Sequence, residues 1–258
     1  MRILSGTSGW SFKEWKGSFY PADLPADRYL AYYADRFGTV EINNTFYRMP
    51  KESVLLEWAA QVPPEFRFAV KASQRITHYA RLKDVADNLA YFLRITNSLG
   101  ESRGPSLFQL PPNLKKDLPL LVDFIAQLPP RWRSAVEFRH STWLSDDVYD
   151  ALREKDVALC VADQDDFSVP PIATASWGYL RLHRLTYDEK ALSQWAETVQ
   201  NQPWEECYVY FKHDETEGSG PEAAQSFLKL IPRQLLPAPS PPGTAFPRSD
   251  SGPADQPS

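Results

Sequence analysis

The sequence has few cysteines and histidines, no long apolar run and no strong charge of one sign. Two cysteines and four histidines among 258 residues predict neither a disulfide framework nor a cysteine-rich zinc site. No stretch approaches the roughly 20 apolar residues of a membrane span, and residues 1–6 show no secretory signal. The formal net charge of −5 argues against broad nucleic-acid binding, which depends on neutralising phosphates. We therefore expect a cytoplasmic protein.

The two cysteines, Cys160 and Cys207, each lie in an apolar, strand-like run. We interpret them as buried thiols that behave as small hydrophobic side chains, because two isolated cysteines form no recognisable redox or metal motif. A disulfide between them, which would indicate export, is the alternative.

Short β-branched or aromatic runs alternate with longer amphipathic runs, a pattern typical of parallel βαβ units. The predicted strands are residues 2–6, 39–43, 66–71, 106–110, 134–139, 157–163, 178–183 and 207–212. The predicted helices are residues 26–37, 53–61, 84–99, 117–127, 145–155, 188–200 and 221–231. Eight strands, with no GxGxxG after the first, favour a closed barrel over a doubly wound sheet. We predict an α/β fold with a single (β/α)8 TIM-type barrel, regular or irregular.

The composition changes near the C-terminus, where prolines alternate with serine, glycine and alanine. Such a segment has little apolar surface to bury. We therefore predict one barrel domain over residues 1–235 and a disordered proline-rich tail over residues 236–258.

Polar residues occur late in strands that should be apolar throughout if helices cover them. Because side chains alternate between the two faces of a strand, we expect the polar set to face the barrel lumen near its C-terminal rim, where the active sites of this fold lie. The set comprises Glu41, Asn43, Lys71, Gln109, Glu137, Arg139, Asp163, Arg181 and His183. The alternative is a set of structural ion pairs, such as Arg139 with Glu137 or Arg181 with Asp163. So many buried charges are costly, which favours a functional role.

Aromatic residues follow three of the predicted strands. Trp10, Tyr47 and Trp143 lie in strand-to-helix connections, which should overhang the same rim. We interpret them as ligand-binding residues that form a wall or lid. The alternative is that they pack over the mouth of the barrel.

These residues fall within motifs that resemble the bacterial and archaeal "domain of unknown function 72" family. The matching stretches are GTSGW (6–10), WKG (15–17), FYP (19–21), EINNTFY (41–47), FAVK (68–71), FQLPP (108–112), VEFR (136–139) with Trp143, and YLRLH (179–183). The resemblance implies a TIM-type barrel and supports the lumen assignment, but it supplies no established reaction. The chain departs from the family pattern at Arg184, after the seventh strand, and at Lys212 and His213, after the eighth.

The first functional hypothesis is an enzyme that acts, without a metal, on a small anionic ligand bearing phosphate or carboxylate. Lys71, Arg139 and Arg181 would bind the anion, with Asn43 and Gln109 as further ligand-binding residues. The predicted catalytic residues, which would transfer protons or stabilise charge, are Glu41, Glu137, Asp163 and His183. The reaction class is open, with a hydrolase-like reaction favoured, and no cofactor is favoured. We also predict that an Arg181→Met substitution abolishes anion binding and preserves the fold.

Two other hypotheses remain. In a metal-dependent hydrolase of phosphodiesterase or nuclease type, Glu41, Glu137, Asp163 and His183 would be the metal ligands, although no HxH or HExxH spacing occurs. In a non-catalytic binding module, the same rim would bind a ligand without converting it. The sequence predicts no membrane partner, does not exclude local nucleic-acid contact and leaves the oligomeric state open.

Overall fold

The computed structural model describes residues 1–212 and 219–237, which form eight parallel strands surrounded by helices. The strands are β1 (Arg2–Thr7), β2 (Thr39–Ile42), β3 (Arg67–Lys71), β4 (Arg103–Gln109), β5 (Ser134–Glu137), β6 (Ala158–Asp163), β7 (Trp177–Leu182) and β8 (Glu206–Phe211). The α-helices are α1 (Tyr29–Ala34), α2 (Glu52–Ala60), α3 (Ala86–Thr96), α4 (Leu118–Ile125), α5 (Asp146–Arg153), α6 (Glu189–Gln200) and α7 (Ser219–Leu230). Short 3₁₀ turns lie at Lys13–Trp15, Ala26–Arg28, Asn44–Phe46, Asn97–Ser102, Ser141–Trp143 and Arg233–Leu235.

The predicted TIM-type barrel is confirmed, in an irregular form. All eight strands occur where the sequence pattern predicts them, but β5 ends at Glu137 and leaves Arg139 beyond the strand. The connection from β6 to β7, residues 164–176, contains no helix. This departure follows from its sequence, since these residues include two consecutive prolines and lack a helical apolar period.

The seam between β1 and β2 is bridged by a side chain instead of by strand pairing. The strand order is β1-β8-β7-β6-β5-β4-β3-β2, and in the part of the chain described here β1 and β2 share no ladder of backbone hydrogen bonds. The Tyr33 hydroxyl, from α1, bridges the seam instead: it accepts from the Thr7 N–H at 2.7 Å and donates to the Thr39 carbonyl oxygen at 3.2 Å. Gly6 allows this close approach, because a Cβ there would lie 2.0 Å from the Thr39 carbonyl oxygen.

Two apolar layers lie on the two faces of the strands. The larger layer packs the strands against the helices. The smaller fills the lumen with small residues on β3, β5 and β6, such as Ala69 and Ala135, and with aromatic residues on β7 and β8, such as Tyr179 and Tyr210. These residues identify the lumen face of their strands, since every second side chain shares their direction.

The two cysteines, Cys160 and Cys207, are free and buried, as expected for thiols in strands.

The end of the described chain packs beside the barrel. Leu236 and Pro237 line a small cavity of about 190 Å³ beside β1, so the barrel's contacts continue two residues past the predicted boundary at 235. His213 and residues 238–258, most of the predicted tail, lie outside the described residues. Within the described ranges, no helix is both long and apolar enough to cross a bilayer.

Candidate functional site

Polar side chains form the upper layer of the lumen, at the carboxyl ends of five strands. Each follows a lumen-facing residue two positions earlier, as Glu137 follows Ala135 and Arg181 follows Tyr179. The layer consists of Glu41 from β2, Lys71 from β3, Gln109 from β4, Glu137 from β5 and Arg181 from β7. The predicted convergence of these five side chains is therefore observed.

Arg181 joins the two glutamates at the centre of this layer. Its Nε and Nη2 donate to Glu41 Oε1 at 3.2 and 3.0 Å, and its Nη1 donates to Glu137 Oε2 at 2.6 Å. Both glutamates are fully buried, and only 5% of the Arg181 side chain is exposed. Because all three guanidinium nitrogens are directed at carboxylates, Arg181 has little capacity left for a ligand.

Further donors complete the environment of Glu41 and keep it ionised. Tyr179 donates to Glu41 Oε2 at 2.7 Å, and Ser8 and Asn43 donate to Oε1 at 2.8 and 2.9 Å. Burial alone would raise the pKa of Glu41, but Arg181 and these hydrogen bonds outweigh it and hold the pKa below its usual value. Glu41 is therefore a poor proton acceptor at neutral pH.

Glu137 is also kept ionised by cations and hydrogen-bond donors. Its Oε2 also accepts from Gln109 at 2.9 Å, and its Oε1 accepts from Arg139 Nε at 2.7 Å. Burial opposes its ionisation, but Arg181 and Arg139 lower its pKa to about 2. The two predicted catalytic glutamates are thus stable anions that hold cations in place.

Lys71 has no counter-ion of its own. Its side chain is half-buried, and its Nζ lies 4.4 Å from the centre of the Phe46 ring. Among the residues with described side chains, it makes neither an ion pair nor a hydrogen bond through Nζ. Burial, followed by repulsion from Arg181, lowers its pKa to about 8.

Arg139 is the second cation with unused donors. Its Nε is bound to Glu137, whereas its two Nη groups have no partner in the described parts of the chain. The side chain is 29% exposed and can therefore be reached from the rim. Counted together, Lys71, Arg139 and Arg181 exceed the charge of Glu41 and Glu137 by one positive unit.

His183 extends the cluster just beyond β7. Its Nε2 lies 2.9 Å from Ser8 Oγ, and the Ser8 proton is already donated to the Glu41 carboxylate, so Nε2 must be the donor to Ser8. Burial and repulsion from Arg181 hold the pKa of His183 well below its usual value. The ring is therefore neutral at pH 7, with Nδ1 as an acceptor that has no partner among the described residues.

His78 is a member of the site that the sequence analysis missed. It lies in a π-helical turn, Arg75–Tyr79, where the Ala80 N–H donates to the Arg75 carbonyl oxygen at 3.2 Å. Its ring packs edge-on against Phe46, with centroids 4.8 Å apart. Burial and repulsion from Lys71 lower its pKa. Single π-helical turns often occur at functional sites, but no periodic signal in the sequence indicates this one.

The prediction that Asp163 belongs to the cluster is wrong. Its Oδ2 accepts from the Tyr187 hydroxyl at 3.0 Å and from Trp195 Nε1, on α6, at 3.1 Å. Its Oδ1 accepts from Arg184 Nε at 2.8 Å. Asp163 shares the outward direction of Leu159 and Val161, two positions apart along β6. It therefore lies in the helix-facing layer, and the considered pair of Arg181 with Asp163 does not form.

The three predicted aromatic residues have different positions. Trp143 is fully buried, stacks on Phe138 at 4.8 Å and donates to the Leu114 carbonyl oxygen at 2.8 Å, so its predicted place in a ligand wall is wrong. Trp10 and Tyr47 line a cavity of about 700 Å³ above the seam between β1 and β2. Tyr47 is 76% exposed.

The four residues considered as metal ligands do not converge. Glu41 and Glu137 are separated by the guanidinium of Arg181, and Asp163 lies on the other face of the sheet. Across residues 1–212 and 219–237, no group of three or more His, Cys, Asp or Glu side chains is placed to hold a metal ion.

The family described as "Protein of unknown function DUF72" matches residues 4–245, nearly the whole chain. The chain belongs to the DUF72 family. Arg184, for which the resemblance predicts a departure from the family pattern, is the cation that pairs with Asp163. This residue therefore lies on the helix-facing side of β6, outside the lumen cluster.

Curated relatives of this DUF72 chain match over part of their length. The UPF0759 protein YecE of Escherichia coli K12 is 37% identical over 112 residues, which are 43% of this chain and 41% of YecE. The UPF0759 protein YunF of Bacillus subtilis is 27% identical over 156 residues, 57% of this chain and 54% of YunF. Each match spans less than two thirds of the relative.

Solved DUF72 structures have the same fold. A DUF72 family protein of Thermotoga maritima superposes with a TM-score of 0.80 and 28% identity, covering 89% of this chain and 99% of its own. A DUF72 family protein of Enterococcus faecalis gives a TM-score of 0.75 at 19% identity, covering 89% of this chain and 95% of its own, and shows the fold alone. None of these descriptions names a ligand or a reaction.

Proposed function

We propose that this DUF72 protein is an enzyme that binds a small organic anion at Lys71 and Arg139, near the C-terminal rim of the barrel. The observation that carries the proposal is the surplus positive charge of the lumen cluster. Arg181 neutralises the buried glutamates, while the Lys71 ammonium and the two Nη groups of Arg139 have no anionic partner among the described residues. A phosphate or carboxylate supplies that missing charge, and a guanidinium binds it through paired hydrogen bonds.

Two proton acceptors beside this anion position favour an enzyme over a binding module. His183 is neutral with a free Nδ1, and Lys71 loses its proton near pH 8. A lysine that changes protonation close to neutral pH is suited to proton transfer, and a neutral imidazole can receive a proton. The geometry supports proton transfer more than hydrolysis by a serine nucleophile, since the Ser8 proton is bound to Glu41 and not to His183.

The neighbouring cavity offers a place for the remainder of the substrate. It is lined by Trp10, Phe12, Tyr47 and Trp58. It shares Ser8 with the lumen cluster, and that hydroxyl bonds Glu41. Aromatic walls bind planar or sugar-like groups, so we infer a substrate with one anionic end and one such group.

Calorimetric titration with inorganic phosphate and pyruvate, after chelation of metals, tests the proposal. We expect the wild type to bind, and Arg139→Met to weaken binding roughly 10- to 150-fold, because one charge-assisted bond contributes about 1.5–3 kcal/mol. Arg184→Met is the matched control, since Arg184 is 47% exposed and pairs with Asp163 outside the lumen. Equal affinity for Arg139→Met and wild type would contradict the proposal.

The metal-dependent alternative has a separate outcome in the same titration. Anion binding that appears only after Mg²⁺, Mn²⁺ or Zn²⁺ is added, and is lost on chelation, would favour it. Metal-independent binding that depends on Arg139 favours the enzyme proposed here.

A further inference from the structure

We propose that the Nζ of Lys71 is a nucleophile that forms an imine with the carbonyl group of an anionic aldehyde or ketone, such as a 2-oxo acid or a phosphorylated sugar. The proposal rests on the proposed function, since it takes the same anion to be held by Arg139. It adds the substrate class and a covalent step at a named atom.

The surroundings of Lys71 differ from those of an ordinary structural lysine. Its stem emerges at the end of β3 inside the lumen layer, and its Nζ contacts the face of Phe46 at 4.4 Å. Lys116, by comparison, lies on the surface and donates to Asp147 Oδ2 at 2.9 Å. A buried lysine without a carboxylate partner is costly as a cation, so the cluster shifts the equilibrium of Lys71 towards the uncharged amine.

The neighbouring cations act in the same direction. The titratable groups that face Lys71 from the other elements are Arg181, Glu137, Glu41, Arg139 and His78. Burial and Arg181 lower the pKa of Lys71 to about 8. At pH 7.5 about a quarter of the molecules then carry the free amine, against roughly one in a thousand for an ordinary lysine. Desolvation and a nearby cation are two ways in which enzymes activate a lysine nucleophile.

The step balances without an oxidant or a metal. The Nζ lone pair forms a bond to the carbonyl carbon, and the carbonyl π electrons move to oxygen, which takes a proton. Nitrogen releases one proton to solvent, and the carbinolamine hydroxyl then takes up a proton from solvent and leaves as water. The resulting iminium carries one positive charge, the same charge as the ammonium. It can therefore attract the anion and withdraw electrons from the adjacent carbon, where the free Nδ1 of His183 can accept a proton.

Reductive trapping tests the proposal on the full chain. The protein is incubated with pyruvate or with dihydroxyacetone phosphate, then with sodium cyanoborohydride, and analysed by intact mass and peptide mapping. We expect one adduct per chain with at least one probe, on the peptide that contains Lys71. It should be absent in Lys71→Met, present in Lys116→Met and suppressed by inorganic phosphate. The rate of trapping should rise with pH and reach half its maximum near pH 8.

The outcomes separate this proposal from the proposed function. An adduct on other lysines only, or none with either probe, would overturn the imine while leaving Arg139-dependent anion binding in place. If the wild-type protein binds neither phosphate nor pyruvate, both the imine and the proposed function are overturned. Circular dichroism checks that Lys71→Met is folded, and if it is not, peptide mapping of the wild-type adduct decides the result alone.

Discussion

The lumen cluster and the Asp163 group are two buried carboxylate networks at the same end of the same barrel, on opposite faces of the strands. Asp163 is matched by one cation, Arg184, and its oxygens also accept from Tyr187 and Trp195. In the lumen, two carboxylates face three cations, and two of those cations have unused donors. A strand-end carboxylate therefore does not by itself indicate a site. The difference lies in whether the network is complete without a ligand.

The largest expected effect is a loss of stability when the lumen cluster loses its central cation. Arg181→Met removes the cation between two fully buried glutamates, and an uncompensated buried charge costs about 3–5 kcal/mol in the free energy of unfolding. The sequence alone predicts a preserved fold for this variant, and the three hydrogen bonds to Glu41 and Glu137 reverse that expectation. Urea denaturation measures the loss. Arg184→Met is the control and should lose less, because Arg184 is half-exposed and Asp163 keeps its donors Tyr187 and Trp195. Similar losses in both variants would remove the distinction between the networks.

The second effect is a loss of stability in acid. The pKa of Glu137 in the folded protein is about 2, below its ordinary value of 4.5. Its ionised form therefore stabilises the fold fully above pH 4.5, and this contribution, on the order of 3 kcal/mol, is lost as the pH falls towards 2. Denaturation midpoints at pH 7, 4.5 and 3 measure the loss, and Glu137→Gln should show a shallower decline below pH 4.5. An unchanged slope in that variant would assign the acid sensitivity to other groups.

A third effect concerns Asp163. Asp163→Asn keeps the shape of the side chain but places an amide donor against the Tyr187 hydroxyl or the Trp195 N–H, so stability should fall by about 1–3 kcal/mol. Anion affinity should not change, because Asp163 lies on the helix-facing side. Denaturation and phosphate titration of the same preparation test both parts. A parallel loss of anion affinity would connect the two networks.

The last comparison is a matched pair of hydroxyl deletions, one of which has the smallest expected effect. Tyr179→Phe removes a buried donor to Glu41, and a hydrogen bond to a charged group contributes about 1.5–3 kcal/mol. Tyr179 is the one donor to Glu41 Oε2 among the described residues, whereas Asp163 Oδ2 keeps its Trp195 donor in Tyr187→Phe, so the cost of that variant should be about 1 kcal/mol or less. The losses in unfolding free energy of the two variants show which network contributes more to stability. A larger loss for Tyr187→Phe would reverse the ranking.

The alternation of side chains along the strands predicted the central part of the site. In β2, β5 and β7 the polar residues Glu41, Glu137 and Arg181 alternate with large apolar residues, and all three face the lumen. The same rule, applied strictly, would have placed Asp163 correctly, since Leu159 and Val161 have the same parity and face the helices. A position at the end of a strand is therefore not sufficient evidence that a side chain faces the lumen.

Residues outside the strands could not be placed in this way. Trp143 lies in a 3₁₀ turn and His78 in a π-helical turn, and neither conformation has a period that the sequence displays. The sequence pattern also could not predict which arginine donors bind which carboxylates. Alternation brings Arg181 into the lumen, but only coordinates show that its donors are taken by glutamates and that those of Arg139 are not.

The seam bridged by Tyr33 has a consequence for the order in which the chain folds. Because β1 has no ladder with β2 in the described ranges, its strand partner there is β8, with Arg2 opposite Glu206. Of the eight strands of this barrel, the first to leave the ribosome therefore waits for the last. At ordinary rates of synthesis that delay is roughly 10–40 s. During that time, the backbone groups of β1 that later pair with β8 are open to water or to a chaperone. Closure of the barrel between β1 and β8 must be a late event in the biogenesis of this protein.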